Sequence, residues 1–227
     1  MRLIFVRHGH PNYEKNCLTD IGLRQARAAA LRLRDEGIDA VYSSPFGRAV
    51  ETAQCTADVL GLPVQICEFM HEMYWGNQRG LPVFAGGQPW EAALEMIRRG
   101  ENVNDSAWPR HPLFDNNDAA AEDQRIGKAL DEWLRLFGYA RDGLYYRCEG
   151  NANRQRTVAL FSHGGSSSAA MAHLFNLPFP LFCAMAPIPF TGITVVRFPL
   201  EAEGLFMPCL ELMADGRHLP PELPDGR

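Results

Sequence analysis

The stretch LIFVRHG, residues 3–9, joins four apolar residues directly to an arginine, a histidine and a glycine. A short, continuous run of β-favouring apolar residues is typical of a strand that is covered on both faces. Residues 3–6 therefore predict a central strand of a sheet. Ligands of open α/β sheets bind beyond the carboxyl ends of the strands, so Arg7 and His8 are candidates for a binding site at that edge.

The residues that follow alternate between helix and strand patterns. Thr19 can cap a helix whose apolar positions recur at helical spacing until about Gly37. The segment IDAVYSSP, residues 38–45, predicts a second strand, and Ser44 with Pro45 matches the N-cap and first position of a second helix. This order predicts an α/β fold, a three-layer sandwich whose central, mostly parallel sheet has helices on both faces.

The middle of the chain has a different composition. Residues 76–118 are rich in glycine, proline, asparagine and tryptophan, with one short helical stretch around Trp90–Arg99. We interpret residues 76–118 as an insertion that forms a lid over the site, and not as part of the core.

Regular patterns resume after this segment. A helix is predicted from about Ala119 to Phe137, and TVALFS, residues 157–162, predicts another buried strand that runs into HGG. Two further runs, residues 193–198 and 207–213, are expected to complete the sheet at one edge. The last residues, 219–227, have the composition of a loose terminus.

The composition fits a single domain over residues 1–227, because 46% of the residues are hydrophobic and can bury one substantial core. The net charge of −5 argues against a nucleic-acid partner, which normally requires a basic excess. No run approaches the ~18 apolar residues of a membrane span, and the N-terminal run is too short for a signal peptide. The six cysteines lack metal-site spacing, which predicts free thiols in a cytoplasmic protein.

Three segments place polar residues where strands end. Arg7 and His8 follow the first strand, Arg48 lies near the start of the second helix, and His163 with Gly164 follows TVALFS. Arginine offers a planar fork that matches phosphate oxygens, and glycine lets the backbone approach a ligand closely. The sequence therefore predicts a site for a dianionic phosphate, with Gly164 among the residues that bind the substrate.

Four strings in this order resemble the histidine phosphatase superfamily, also called the phosphoglycerate mutase-like fold. They are RHG at residues 7–9, SSPFGRAVETA at 43–53, HEMYWG at 71–76 and SHGG at 162–165. The resemblance implies an enzyme that forms a phosphohistidine. It implies His8 as the nucleophile, Glu72 as the proton donor, and three residues that bind the transferring phosphoryl group: Arg7, Arg48 and His163.

The sequence departs from this family in the loop after RHG. Many mutase members have an asparagine six residues after the histidine, where this chain has Glu14. We expect Asn12 to take over that contact with phosphate. The tryptophan-containing stretch of glycolytic mutases is also missing, which favours hydrolysis over the mutase reaction. For the proton donor, Glu68 stays open as an alternative to Glu72.

The function predicted from these observations is a phosphatase that hydrolyses a small phosphorylated metabolite through a phosphohistidine. Two alternatives remain: phosphoryl transfer of the phosphoglycerate mutase type, and a sensor that binds phosphorylated ligands without turnover. No metal-binding spacing is present, so we expect neither a metal nor a cofactor. The substrate and the oligomeric state stay open.

Overall fold

The computed structural model describes residues 1–76, 79–150, 152, 154–224 and 226. The ten strands are β1 Arg2–Arg7, β2 Pro11–Asn12, β3 Cys17–Leu18, β4 Ala40–Ser43, β5 Val64–Ile66, β6 Tyr139–Asp142, β7 Tyr145–Cys148, β8 Thr157–Ser162, β9 Ile193–Arg197 and β10 Cys209–Asp215. Within the described residues, the six α-helices are α1 Asp20–Leu33, α2 Gly47–Leu60, α3 Pro89–Arg98, α4 Ala119–Arg135, α5 Gly164–Phe175 and α6 Phe179–Met185.

Six strands form the central sheet, in the order β10-β9-β1-β8-β4-β5. β1 pairs in parallel with β8, β8 with β4, and β4 with β5, whereas β9 runs antiparallel to β1 and β10. The predicted central position of β1 is confirmed, and β9 and β10 complete the sheet at one edge as expected. Two short antiparallel pairs, β2 with β3 and β6 with β7, lie outside this sheet.

The register of the parallel strands brings the three predicted segments together. Arg7 at the end of β1 is opposite Ser162 at the end of β8. Ser43 at the end of β4 is opposite Phe161 in β8. Residues that follow these strands therefore start from neighbouring positions at one edge of the sheet.

Both faces of the sheet are covered, because successive side chains of β1 belong to two different hydrophobic clusters. Leu3 and Phe5 belong to a hydrophobic cluster that includes residues of α3, α4, α5 and α6. Ile4 and Val6 belong to a second cluster, with residues of α1 and α2. Because successive side chains of a strand point to opposite faces, the helices lie in two layers around the sheet. The predicted three-layer α/β sandwich is confirmed.

The two helix starts differ in how well the sequence predicted them. Thr19 caps α1 as expected, since its hydroxyl accepts a hydrogen bond from Gly22 N–H at 3.1 Å. The predicted start of α2 at Ser44 and Pro45 is wrong by two residues, because the N-cap is Phe46. The hydroxyl of Ser44 lies 2.7 Å from Nε2 of His163 and accepts a hydrogen bond from the N–H of Phe46 at 3.3 Å, so it caps no N–H group inside the helix.

Residues 76–118 contribute side chains to the hydrophobic core. The predicted short helix is present as α3, and this segment places several side chains in the same core cluster as α4 and α5: Ala92, Met96, Trp108, Leu113 and Phe114. Burial of these side chains stabilises the fold through the apolar area that they remove from water. The interpretation of this segment as an insertion outside the core is therefore wrong for these residues.

The end of the chain is packed where a loose terminus was expected. Leu223 is buried, and Gln25 of α1 donates a side-chain hydrogen bond to the carbonyl oxygen of Pro224. Within the described residues no single helix is long and apolar enough to cross a membrane. Only α5 and α6 taken together meet that length, and they are bent by 115°.

Candidate active site

His8 is the buried centre of the site, with 2% of its surface exposed. Its Nδ1 lies 2.7 Å from the carbonyl oxygen of Gly9, and an N–H there leaves the Nε2 lone pair as an acceptor. Arg48 Nε donates to that Nε2 at 3.3 Å. Burial, assisted by the charges of Arg7 and Arg48, lowers the pKa of His8 to about 3. The imidazole is therefore neutral at neutral pH and can act as a nucleophile.

A close approach of two backbones holds the loop after β1 in place. A Cβ atom on Gly9 would lie 2.6 Å from the carbonyl oxygen of Gly22 in α1, so only glycine fits there. The N–H of Gly9 donates to the hydroxyl of Thr52 in α2 at 3.1 Å. His8 is thus positioned by both helices that cover this face of the sheet.

Arg48 lies in the first turn of α2, and 6% of its surface is exposed. Its Nη1 donates to Oδ1 of Asn16 at 2.8 Å, and its guanidinium carbon lies 5.0 Å from the ring centre of Phe46. These contacts orient a charged fork towards His8. Sequence reasoning missed Asn16, whose positive φ of 51° marks a turn that favours asparagine.

Asn12 was the sequence candidate for a contact with phosphate. In the structure its Oδ1 accepts a hydrogen bond from the backbone N–H of Lys15 at 3.0 Å. The asparagine that contacts Arg48 is therefore Asn16, two residues beyond Glu14. A role for Asn12 in binding stays a prediction.

His163 is fully buried and precedes α5 as its N-cap residue. Its ring centre lies 5.1 Å from that of His8, and its Nε2 lies 2.7 Å from the hydroxyl oxygen of Ser44. Its Nδ1 is buried and has no hydrogen-bond partner among the described residues. Burial, with the neighbouring histidine and arginines, lowers the pKa of His163 well below its usual value.

Arg7 is held from two sides at the end of β1. Its Nη1 donates to the carbonyl oxygen of Ile188 at 2.6 Å, and its guanidinium carbon lies 4.4 Å from the ring centre of Phe190. Its Nε is buried and lacks a hydrogen-bond partner in the described part of the chain. With the Ser44 hydroxyl donating to Nε2, the neutral ring of His163 carries its proton on Nδ1. Since buried polar groups are normally paired, Arg7 Nε and this Nδ1–H are then suited to donate to the oxygens of an anion.

Glu72 binds the N-terminus of α5. Its Oε1 accepts hydrogen bonds from the N–H groups of Met73 and Ser166, both at 2.9 Å, and its Oε2 accepts one from Gly165 at 3.3 Å. Burial raises the pKa of Glu72, and these backbone donors oppose the rise. A carboxyl group with a raised pKa is suited to donate a proton. The alternative, Glu68, is exposed in a turn of 3₁₀ helix.

A cavity of about 340 Å³ opens at this edge of the sheet. Its lining residues are Arg7, His8, Tyr13, Glu72, Trp75, Gln88, Trp90, Gly164, Ser168, Pro187, Ile188 and Gly226. The predicted residue Gly164 is thus at the cavity. Of the three tryptophans near residues 76–118, Trp75 and Trp90 line it with ring centres 5.3 Å apart, whereas Trp108 is in the core.

The site offers no evident place for a metal ion. In the described ranges, no group of three or more histidine, cysteine, aspartate or glutamate side chains could hold one. The positive charge at the site comes from Arg7 and Arg48.

Fold and site together define an α/β protein in which two arginines and two buried histidines lie together at the carboxyl ends of the parallel strands. The chain belongs to the histidine phosphatase superfamily, branch 1, whose family model matches residues 3–204. The resemblance inferred from the four sequence strings is therefore confirmed.

Among sequence relatives, "Probable phosphoglycerate mutase GpmB" of Yersinia pestis is 32% identical over 145 residues, or 60% of this chain. The first curated relatives are matched over only 43% to 64% of their own length.

Solved structures match more of the chain. A phosphoserine phosphatase variant from Entamoeba histolytica, in complex with phosphoserine, covers 96% of this chain and 99% of its own, with a TM-score of 0.64 and 20% identity. A mycobacterial glucosyl-3-phosphoglycerate phosphatase with bound vanadate (VO3) covers 93% and 97%, with a TM-score of 0.61 and 22% identity. At these identities the two matches show the fold.

Proposed function

We propose that this protein is a phosphatase that hydrolyses a small phosphomonoester through a phosphohistidine on His8. One observation carries the proposal: the Nε2 of a neutral, buried imidazole contacts Arg48 and lies beside His163, in a cavity that Arg7 also lines. In phosphoryl transfer, charge spreads over the oxygens of the transferring group, and fixed cationic donors stabilise it. The phosphorylated ligands named for the structural neighbours support a substrate of this kind.

In the first step, His8 Nε2 attacks the phosphorus atom of the substrate. An N–P bond forms, the P–O ester bond breaks, and its electron pair goes to the leaving oxygen. Glu72 donates its proton to that oxygen, so that an alcohol leaves. Arg7, Arg48 and the Nδ1–H of His163 bind the oxygens of the phosphoryl group throughout.

In the second step, water attacks the phosphohistidine. Glu72, now a carboxylate, takes a proton from the water as the new O–P bond forms. The N–P bond breaks and its electron pair returns to Nε2 of His8, which restores the enzyme and releases inorganic phosphate. Splitting one displacement into two easier ones is the advantage of a covalent intermediate.

Residues 76–118 contribute Gln88 and Trp90 to the cavity, and we assign them the role of a lid over the leaving group. The whole chain then acts as one domain, with residues of the core and of the lid sharing the site. All six cysteines are free, which supports a reducing compartment such as the cytoplasm.

The test is to trap the intermediate. Wild-type protein mixed with p-nitrophenyl phosphate and quenched in alkali should gain the mass of one phosphoryl group, located on His8 by peptide mass spectrometry. His8→Ala should neither gain this mass nor release nitrophenol, whereas His111→Gln, at a histidine that does not line the cavity, should do both.

A folded His8→Ala protein with wild-type turnover would refute the nucleophile. With 3-phosphoglycerate no 2-phosphoglycerate should form, and any phosphoryl group taken from this ester should be released as inorganic phosphate; formation of 2-phosphoglycerate would point to a mutase. Binding of phosphate esters without any turnover would point to a sensor.

A further inference from the structure

We infer that the leaving-group end of the cavity is built for an uncharged alcohol with an apolar or aromatic body, and that it discriminates against alcohols that carry a carboxylate. This inference rests on the proposed function, because that function assigns the His8 end of the cavity to the phosphoryl group. The remaining lining then determines which ester is hydrolysed fastest.

Two indole rings lie directly beside the groups that would act on the ester bond. A Cβ atom built on Gly165 would lie 2.7 Å from Glu72 Oε1 and 2.8 Å from the ring of Trp75. One built on Gly164 would lie 3.6 Å from Arg7 Nε and 3.7 Å from the ring of Trp90. A leaving oxygen that takes its proton from Glu72 therefore has an aromatic surface within contact distance.

The rest of this lining is apolar or neutral. Pro187 and Ile188 add aliphatic surface, and the polar side chains are those of Tyr13, Gln88 and Ser168. Such groups can pack against a ring and hydrogen-bond its hydroxyl or carbonyl substituents, as a few polar groups in a mostly apolar lining do in other small-molecule sites.

The described lining residues provide no free counter-ion for a carboxylate on the leaving group. Among the described lining residues, the only arginine or lysine is Arg7, which is stacked on Phe190 and donates to Ile188. The backbone N–H groups of Gly165 and Ser166 in the first turn of α5 already donate to Glu72. An ionised group taken out of water without a partner is strongly disfavoured, so esters such as phosphoserine should be poor substrates.

The experiment compares three alkyl esters of similar leaving-group basicity: 2-phenylethyl phosphate, propyl phosphate and 3-phosphonooxypropanoate, in which a carboxylate replaces the methyl group of propyl phosphate. Phosphate release gives kcat/KM for each. We expect the order phenylethyl, propyl, carboxylate, with about 100-fold or more between the first and the last.

Two variants test the cause. Trp90→Ala should lower kcat/KM for the phenylethyl ester by about 10- to 100-fold and that for the propyl ester much less, and Trp90→Phe should restore most of the loss. Gln88→Arg, at an exposed lining position, should raise kcat/KM for the carboxylate ester relative to the propyl ester. This gain does not depend on whether Trp90→Ala folds.

The outcomes separate the two proposals. Hydrolysis of none of the three esters would refute the proposed phosphatase. Hydrolysis with the carboxylate ester equal to or faster than the phenylethyl ester would overturn the specificity and leave the phosphatase standing. An equal loss for both uncharged esters in Trp90→Ala would show that the indole supports the site generally, and would also overturn the inference.

Discussion

Replacing Glu72 by glutamine removes one proton and little else, so it isolates acid catalysis from binding. In the structure Oε1 of Glu72 accepts from Met73 and Ser166, and the side-chain oxygen of a glutamine can keep both bonds. The amide nitrogen would face the N–H of Gly165, whose bond to Oε2 is the long one at 3.3 Å. Losing that bond costs about 1 kcal/mol of stability, so Glu72→Gln should fold.

The expected loss of rate is much larger than this loss of stability. A positioned general acid contributes about 10²- to 10⁴-fold, which corresponds to about 2.7–5.4 kcal/mol of the barrier. The full loss of rate should appear with alkyl phosphates, because their leaving oxygen is strongly basic and needs a proton. With p-nitrophenyl phosphate the leaving group is stable as an anion, so the loss should stay within about tenfold.

The assay is the single-turnover rate of phosphoenzyme formation, measured by rapid quench with both kinds of substrate. Glu68→Gln is the matched control, because Glu68 is exposed and outside the cavity lining, and it should behave as wild type. Equal losses in Glu72→Gln for good and poor leaving groups would refute acid catalysis by Glu72. A loss that depends on the leaving group in Glu68→Gln would assign the proton to Glu68 instead.

Three further predictions concern the pH dependence set by Glu72, that set by His8, and the start of α5. Since the acid must be protonated, kcat/KM for alkyl phosphates should fall as pH rises through the raised pKa of Glu72, and this alkaline limb should vanish from the pH profile of Glu72→Gln. His8, with a pKa of about 3, should not limit the rate down to about pH 4; an acid limb near the usual histidine pKa, once the substrate's own ionisation is subtracted, would contradict the burial argument. Gly165→Ala places a Cβ atom 2.7 Å from Glu72 Oε1 and should lower kcat/KM for alkyl phosphates by about 10²-fold. Gly164→Ala makes only contacts of 3.6 Å or more and should cost far less; equal losses in steady-state assays of the two folded variants would show that displacement of Glu72 is not the cause.

Local patterns in the sequence were enough to predict the scaffold. Residues 3–6 and 157–162 are continuous apolar runs, and strands covered on both faces need such runs. Thr19 caps α1 because a hydroxyl can satisfy a free backbone N–H within the same turn. Parallel strands end at one edge, so Arg7, His8 and His163 could be assigned to one site before any contact was known.

Packing decided which of several similar residues belong to the site. Trp75, Trp90 and Trp108 occur in or beside a segment of uniform composition, yet two line the cavity and one is in the core. No local pattern separates them, because burial at these positions depends on how α3 and the turns after it pack on α6. The core role of residues 76–118 was missed for the same reason.

Contacts between distant segments could not be predicted from the sequence either. Asn16 reaches Arg48 across 32 residues, and Ser44 reaches His163 across 119. Each contact depends on a loop conformation together with the register of the sheet. The residues next to Asn16 or Ser44 in the chain do not indicate which distant side chain either one will contact. The sequence by itself determined which chemistry lies at the strand ends, since strand burial and helix capping are local. The tertiary structure alone decided which side chains orient that chemistry and surround the leaving group, because those contacts arise only when separate elements pack.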